Sequence, residues 1–249
     1  MSQQDQIKIS AIILTKNSER HLQECIESII DIVDEIIVVD GYSTDNTLSI
    51  CKKYPKVRFF QKSFEGFAKE RIFALGKVRG DWVIQIDSDE VLTEKCASKL
   101  KEMILFDRFD AIKVFNKTLF VDKLLRSHGR TPCFKAFRTS YISYNGKKLV
   151  HETPIIKSGA RVGFVDGLII HYHDFNIRKI WSKFLRYAEL RVNMEGMNVR
   201  RILIRPLGLF FVRLFRDLRI IDGFHGLFLA GIEATAYLLV ALREFSRFR

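Results

Sequence analysis

Three carboxylates, Asp87, Asp89 and Glu90, follow at once on the apolar run Trp82-Val83-Ile84-Gln85-Ile86. Packing alone does not call for such a group, because carboxylates held this close repel one another unless a cation neutralises them. Oxygen-rich, charged surroundings suit a hard divalent ion, so the stretch reads as a site for Mg or Mn. The apolar run is strand-like, which puts the acids at the carboxyl end of a buried strand, where open α/β sheets bind their ligands.

The neighbouring elements must supply the frame. Ile7 to Leu14 is predicted as a strand and Glu19 to Ile30 as a helix, with Leu22, Ile26, Ile29 and Ile30 at helical spacing. Glu35 to Val39 is a second strand ending in Asp40, and Thr44 to Tyr54 a second helix opened by a Ser/Thr/Asp cluster suited to capping it. Val57 to Phe60, Phe67 to Lys77 and Trp82 to Ile86 continue the alternation. The order βαβαβαβ with short connections predicts a Rossmann-like α/β domain with a mostly parallel, nucleotide-binding sheet flanked by helices. Asp110 to Tyr144 is less regular and carries a basic loop, Arg126 to Pro132, that could shape a second pocket.

From Arg178 the texture turns helical and basic. Between Arg178 and Arg249 there are fourteen Lys or Arg against six Asp or Glu, a net +8 of the chain's +12. Arg200, Arg201, Arg205, Arg213, Arg216 and Arg219 interleave with Leu207, Phe210, Phe211, Leu214 and Phe215. That pattern fits an amphipathic helix lying in the plane of an anionic membrane surface. Phe224 to Leu242, interrupted only by His225 and Glu233, approaches the length of one membrane span. A carboxylate near its middle would cost about 2.5 to 3.5 kcal/mol on insertion scales, so lying on the membrane is favoured over crossing it.

With 249 residues, 47% of them hydrophobic and 28% charged, the chain can bury one main core and is not a disordered segment. Cys25, Cys51, Cys96 and Cys133 are scattered without a CxxC pair, which argues against a zinc site or a disulfide framework and for reduced thiols. Met1 to Gln6 is polar and lacks the basic-then-apolar pattern of an export signal. The expected place of work is therefore the cytoplasm, peripheral on the cytoplasmic face of the inner membrane.

Four segments in this frame resemble glycosyltransferase family 2, inverting enzymes of the GT-A fold. Ser10-Ala11-Ile12-Ile13-Leu14-Thr15-Lys16-Asn17 resembles the strand and polar turn that contact the nucleotide base, implying donor contacts for Thr15, Asn17 and Glu19. Val39-Asp40-Gly41-Tyr42-Ser43-Thr44-Asp45-Asn46-Thr47 is similar to the family's V-D-x-x-S-x-D-x-T signature, implying that Asp40 accepts hydrogen bonds from uracil or ribose. Asp87-Ser88-Asp89 resembles its D-x-D element, with Asp87 near the ribose and metal and Asp89 a direct metal ligand. Leu149-Val150-His151-Glu152 resembles the V-H-E element of a subgroup that glucosylates the lipopolysaccharide or lipooligosaccharide inner core, implying that Glu152 is the catalytic base.

Further along, Ile170-His171-Tyr172-His173 is similar to the stretch holding the late histidine with which many GT-A enzymes complete the metal shell, and His171 aligns better than His173. Lys183, Arg186 and Tyr187 resemble a K-x-x-R-Y stretch of the same subgroup, implying phosphate contacts, and Arg71 and Ser88 complete the implied donor set. Arg126, His128, Arg130 and Arg138 fall where the subgroup carries basic residues. Cations there suit a phosphorylated, acidic acceptor, and could equally bind the donor diphosphate.

The resemblance thus implies a GT-A catalytic domain over residues 1–177, its nucleotide-sugar half ending near 110 and its acceptor half covering 111–177, and a membrane-associating extension over 178–249. It implies a UDP-sugar donor, with glucose the family-weighted choice, a glycolipid or lipopolysaccharide-core acceptor, and no nucleic acid. A sugar nucleotidyltransferase would share sheet, metal and nucleotide but ordinarily needs a glycine-rich phosphate loop, and Thr15-Lys16-Asn17-Ser18-Glu19 contains no glycine. A non-catalytic basic protein binding RNA or membranes leaves Asp87, Asp89 and Glu152 without a purpose.

Overall fold

A computed structural model of the chain describes residues 8–121, 123–127, 132–145, 154–173, 178, 180–182, 184–185, 188–189 and 199–247. These fall into two compact units: Met1–Lys117 with Thr131–Tyr172, and Thr118–Arg130 with His173–Arg249.

The first unit opens with the expected alternation: β1 (Ile9–Thr15), α1 (Leu22–Glu27), β2 (Glu35–Asp40), α2 (Thr47–Cys51), β3 (Val57–Gln61), α3 (Phe67–Leu75) and β4 (Trp82–Asp87). Strands β3, β2, β1 and β4 lie side by side and parallel. Their side chains feed two cores, as strands covered on both faces must. Ala11 and Ile13 of β1 join Leu22 and Ile26 of α1 on one side, while Ile12 joins Ala68 and Ala74 of α3 on the other.

Beyond β4 the sheet becomes mixed. After β5 (Glu90–Leu92) and α4 (Glu94–Leu105) come β6 (Ala111–Phe120), β7 (Lys123–Leu124), β8 (Cys133–Arg138), β9 (Ile142–Ser143), β10 (Ile155–Ile156) and the long β11 (Val162–His173). The path across the sheet runs β3-β2-β1-β4-β8-β6-β11-β5. β8 is wedged antiparallel between β4 and β6, and β5 pairs antiparallel with β11. The mostly parallel sheet expected from the alternation therefore covers only its front half.

Helices α1 and α2 are shorter than their apolar spacing suggested, and the reason is local. The residues before α2 are spent on the loop after β1: Thr44 N–H donates to Asn17 Oδ1 at 2.9 Å, and Asn46 N–H to Glu19 Oε2 at 3.0 Å. The N-cap is Asn46, whose side chain makes no capping bond, and Asp45 before it accepts from Thr47 N–H at 3.0 Å and Thr47 Oγ1 at 2.6 Å. Cys25, Cys51 and Cys96 are buried free thiols, and burial pushes Cys51 and Cys96 each up to about 12.

The second unit gathers the Leu119–Leu124 turn with the C-terminal helices. Phe120 and Leu125 pack with Ile180 and Leu229, and Ala188 packs with Tyr237, Val240 and Ala241. A helix over Val199–Phe211, containing Pro206, runs into a π-helical turn at Val212–Arg216 and a 3₁₀ turn at Arg219–Asp222. The terminal helix then spans Phe224–Arg247. Asp222 is fully buried and ties the unit together, accepting from the backbone N–H groups of Arg126 at 2.6 Å and Ser127 at 3.0 Å.

Two arginines do not do what the amphipathic pattern suggested. Arg213 and Arg219 turn inward onto Glu233, with Arg213 Nε 2.9 Å from Oε2 and Arg219 Nη1 3.2 Å from Oε2. Leu214 is buried as well. A carboxylate within an apolar helix needs cationic partners, and the preceding turns provide them. The stripe left exposed is Ile204, Leu207, Phe211 and Phe215.

Candidate active site

The loops leaving β1 and β2 at their carboxyl ends are laced together by the residues expected to hold a nucleoside. Asp40 is 1% exposed, and its carboxylate accepts from Thr15 Oγ1 at 3.0 Å, Ser43 N–H at 2.8 Å and Ser43 Oγ at 2.5 Å. Asn17 donates its backbone N–H to Ser43 Oγ at 2.7 Å, and Glu19 accepts a second bond from Asn46 Nδ2 at 2.8 Å. Lys16 Nζ donates to the carbonyls of Gly41 and Tyr42, each at 2.6 Å. Asn17 and Tyr42 both adopt left-handed backbone, φ 51° and 60°. For a bulky residue such as Tyr42 this conformation needs outside support. In this structure Thr15, Asn17, Glu19 and Asp40 thus build the loops themselves.

Next to them, β4 delivers the D-x-D turn. Arg71, 4% exposed on α3, donates from Nη2 to Asp87 Oδ1 at 2.9 Å. Burial alone would raise the Asp87 carboxyl, but the cations Lys135 and Arg71 outweigh it and hold the group down at about 2. Ser88 Oγ lies 2.9 Å from Ser18 Oγ, joining the turn to the β1 loop. Asp89 Oδ2 faces His171 Nε2 at 3.1 Å, and its carbonyl accepts from Tyr172 N–H at 2.8 Å. Burial would lower the His171 imidazole, yet the hydrogen bond and charge of Asp89 lift it above its ordinary 6.5. His21 stacks on Tyr172 with ring centres 4.8 Å apart.

This donor set fits a divalent ion in part. The Asp89 carboxylate is a ligand type that suits Mg or Mn, and the His171 imidazole faces it at 3.1 Å as a second nitrogen donor. Among the described residues no group of three His, Cys, Asp or Glu is gathered to hold an ion alone. Ligand oxygens would have to complete the shell, which is how Mg is usually bound beside phosphates.

The remaining expected residues divide. Thr15, Asn17, Glu19, Asp40, Arg71, Asp87, Ser88, Asp89 and His171 gather at the carboxyl edge of the parallel strands. Arg138 does not: it pairs in register with Trp82 at the opposite end of β4, and its guanidinium binds Asp107 and, at 3.1 Å, Asp110. Its partners in this structure are those two carboxylates, away from the edge that carries Asp87 and Asp89. Arg126 belongs to the second unit. Glu152, His128, Arg130, Lys183 and Arg186 lie outside the described residues.

Four further residues take part that no sequence motif marks. Lys135, Asn116, Gln85 and Tyr144 all sit under or beside the D-x-D turn, with Tyr144 Oη on the Gln85 amide and Lys135 and Asn116 on Glu90. The available signal was a lone charge among Phe134, Ala136 and Phe137 in β8.

A mixed α/β sheet with acids at the carboxyl edge and two polar loops beside them has its polar groups where open α/β sheets bind ligands. Among solved structures the chain is similar to Staphylococcus aureus TarS 1–349 in complex with UDP-GlcNAc, with TM-score 0.54, 17% identity, and coverage of 97% of this chain and 92% of that one. The Glycosyl transferase family 2 model matches residues 10–166, and the chain belongs to that family. An uncharacterized glycosyltransferase of Rickettsia conorii is 31% identical over 73% of this chain and 68% of its own length. The lipopolysaccharide core biosynthesis glycosyltransferase LpsC of Rhizobium meliloti is 26% identical over 84% of this chain and 81% of its own. The chain spans 65% of the length of a Rickettsia typhi relative, 25% identical. Family membership favours glycosyl transfer over nucleotidyl transfer.

Proposed function

We propose that the chain is an inverting glycosyltransferase that moves a hexose, glucose first, from a UDP-sugar to a hydroxyl of a lipopolysaccharide inner core or related glycolipid. The observation that carries this reading is the Asp89–His171 pair, 3.1 Å apart at the carboxyl edge of β4 with Asp87 beside it. Asp89 and His171 would hold Mg or Mn, with Asp87 close by. When bound, the ion would offset the charge that grows on the departing diphosphate. The β1 and β2 loops would seat the nucleoside through Thr15, Asn17, Glu19 and Asp40. Lys183 and Arg186 would meet phosphate oxygens, and Arg126, His128 and Arg130 the anionic acceptor. Glu152 would take the proton of the acceptor hydroxyl as its oxygen bonds to the anomeric carbon. The bond from that carbon to the diphosphate oxygen breaks, its electron pair leaving with UDP. The name of the Rhizobium relative supports the acceptor class.

The second unit suits peripheral contact with an anionic bilayer on the cytoplasmic face. Ile204, Leu207 and Phe211 recur at helical spacing, Phe215 stacks on Phe211 with centres 6.2 Å apart, and Phe224 is 75% exposed. Each nearby Arg would add about 1 kcal/mol of attraction to anionic headgroups. The terminal helix is long and apolar enough to cross a membrane over Phe224–Arg243. Its Glu233 is nevertheless tied to Arg213 and Arg219, and crossing alone would break those pairs.

The donor is tested by screening UDP-glucose, UDP-galactose and UDP-N-acetylhexosamines for Mn-dependent thermal stabilisation. UDP-glucose should stabilise most, and stabilisation by none would sink the proposal. The bilayer contact is tested by cosedimentation with phosphatidylglycerol vesicles. Phe211→Glu with Phe215→Glu should release the protein, and unchanged binding would remove this face as the anchor.

A further inference from the structure

The third carboxylate of the opening run, Glu90, points away from solvent. It is 1% exposed, and its Oε2 accepts the Asp87 backbone N–H at 3.0 Å. Lys135 Nζ lies 2.5 Å from the same oxygen, and Asn116 Nδ2 donates to the other. Lys135 is itself only 5% exposed. A buried ammonium therefore stands directly behind the turn that carries Asp87 and Asp89.

The chain reaches this arrangement through a β-bulge. Along β6 and β8, Ile112 is opposite Ala136 while Lys113 is opposite Phe134, which leaves Lys135 unpaired between them. The β4 pairing with β8 also stops at Ala136. In a regular strand Phe134 and Phe137 would face opposite sides of the sheet. Here both pack in the same core, with ring centres 6.0 Å apart. The extra residue that reconciles their faces is Lys135, and bulges of this kind re-aim side chains beside active sites.

A buried ion pair is poor support for stability, since apolar residues of similar volume often serve as well. A job at this position accounts better for it. We propose that Lys135, Glu90 and Asn116 are positioning residues for the D-x-D turn, and this rests on the reading that Asp87 and Asp89 serve the metal and diphosphate. Glu90 fixes the Asp87 amide, and so the direction in which the turn presents its two carboxylates. Lys135 offsets the mutual repulsion of the three acids, so that the turn is already formed when the ion arrives.

The test replaces the pair by apolar residues, Glu90→Leu with Lys135→Met, in the full chain. Binding of Mn with UDP is read from the free-Mn electron paramagnetic resonance signal, and stability from urea unfolding. The expected result is a fold that unfolds near the wild-type midpoint but needs at least about tenfold more Mn for half-saturation, the range seen when outer partners of metal ligands are removed. Lys135→Arg should restore most of the affinity that Lys135→Met loses. Asn116→Ala keeps the ion pair and the fold, and should weaken Mn binding about threefold, a part of the loss such outer partners carry. It decides the matter if the double variant does not fold. Wild-type Mn binding in the double variant, or in Asn116→Ala when the double variant is unfolded, would overturn the inference. Asp89→Ala separates the two claims: if it also binds Mn and UDP normally, the metal assignment has failed and not only the positioning role.

Discussion

Glu233→Gln tests how the C-terminal unit is built. Arg213 grips Glu233 with Nε at 3.0 Å from Oε1 and 2.9 Å from Oε2 and with Nη2 at 2.5 Å from Oε1, and Arg219 adds a contact at 3.2 Å. The side chains of Arg219 and Glu233 are only 11% and 12% exposed, so solvent screens the network little. Removing one partner of a buried pair costs about 3 to 5 kcal/mol, because the other charge is left without compensation. Glutamine keeps one acceptor oxygen, and Asp217 still faces Arg213 at 2.5 Å. The expected loss is therefore smaller, about 2 to 3 kcal/mol. Urea unfolding followed by helical circular dichroism would compare wild type, Glu233→Gln, Arg213→Met and the double variant. The cycle should return a coupling of about 1.5 to 3 kcal/mol. A loss under about 0.5 kcal/mol, the range of an ordinary surface substitution, would refute the inward network. Arg213 and Arg219 would then be available to headgroups, as the sequence pattern alone suggested.

Three other outcomes follow from particular contacts. His171→Ala removes the imidazole facing Asp89 and should raise the Mn needed for half-maximal UDP binding by at least about tenfold, with unchanged demand counting against His171 as a ligand. Asp222→Ala strands the amides of Arg126 and Ser127, so hydrogen exchange at both should quicken, with a stability loss of about 2 to 3 kcal/mol. Asp110 is held below its ordinary 3.8, chiefly by the Arg161 hydrogen bond. A carboxyl depressed in the folded state stabilises above its unfolded value and loses that contribution as pH falls through the folded one. Asp110→Asn should therefore cost on the order of 1 kcal/mol at pH 7, discounted because Arg161 is exposed, and the gap to wild type should narrow as pH falls below 3.8 and close once pH is under the folded-state value. A gap independent of pH would assign the effect to packing.

The front of the fold was legible because β1, β2 and β4 are continuous apolar runs buried on both faces, each ending in polar or acidic residues. The back was not, since nothing local in Cys133–Arg138 tells that it will be inserted between β4 and β6. Arg138 shows the consequence: its residue type suited an anionic acceptor, but its register places it at the far end of β4, on Asp107 and Asp110. Asp87, Asp89 and His171 were readable as residues of chemical interest, and the long β11 brings His171 opposite Glu90 and beside Asp89. Lys135 was hidden because its placement depends on a bulge, a relation between two strands that a single strand's pattern does not contain. The amphipathic stretch identified the basic face but could not separate Arg213 and Arg219, whose partner Glu233 lies in the following helix.

The central claim is that Asp89 binds a divalent ion shared with a sugar nucleotide. Its most direct test is calorimetric titration of UDP-glucose into wild type and Asp89→Ala, each with and without Mn. Binding to wild type should depend on Mn, and binding and its Mn dependence should both be lost in Asp89→Ala with the unfolding midpoint unchanged. Equal, Mn-dependent binding by both proteins would contradict it.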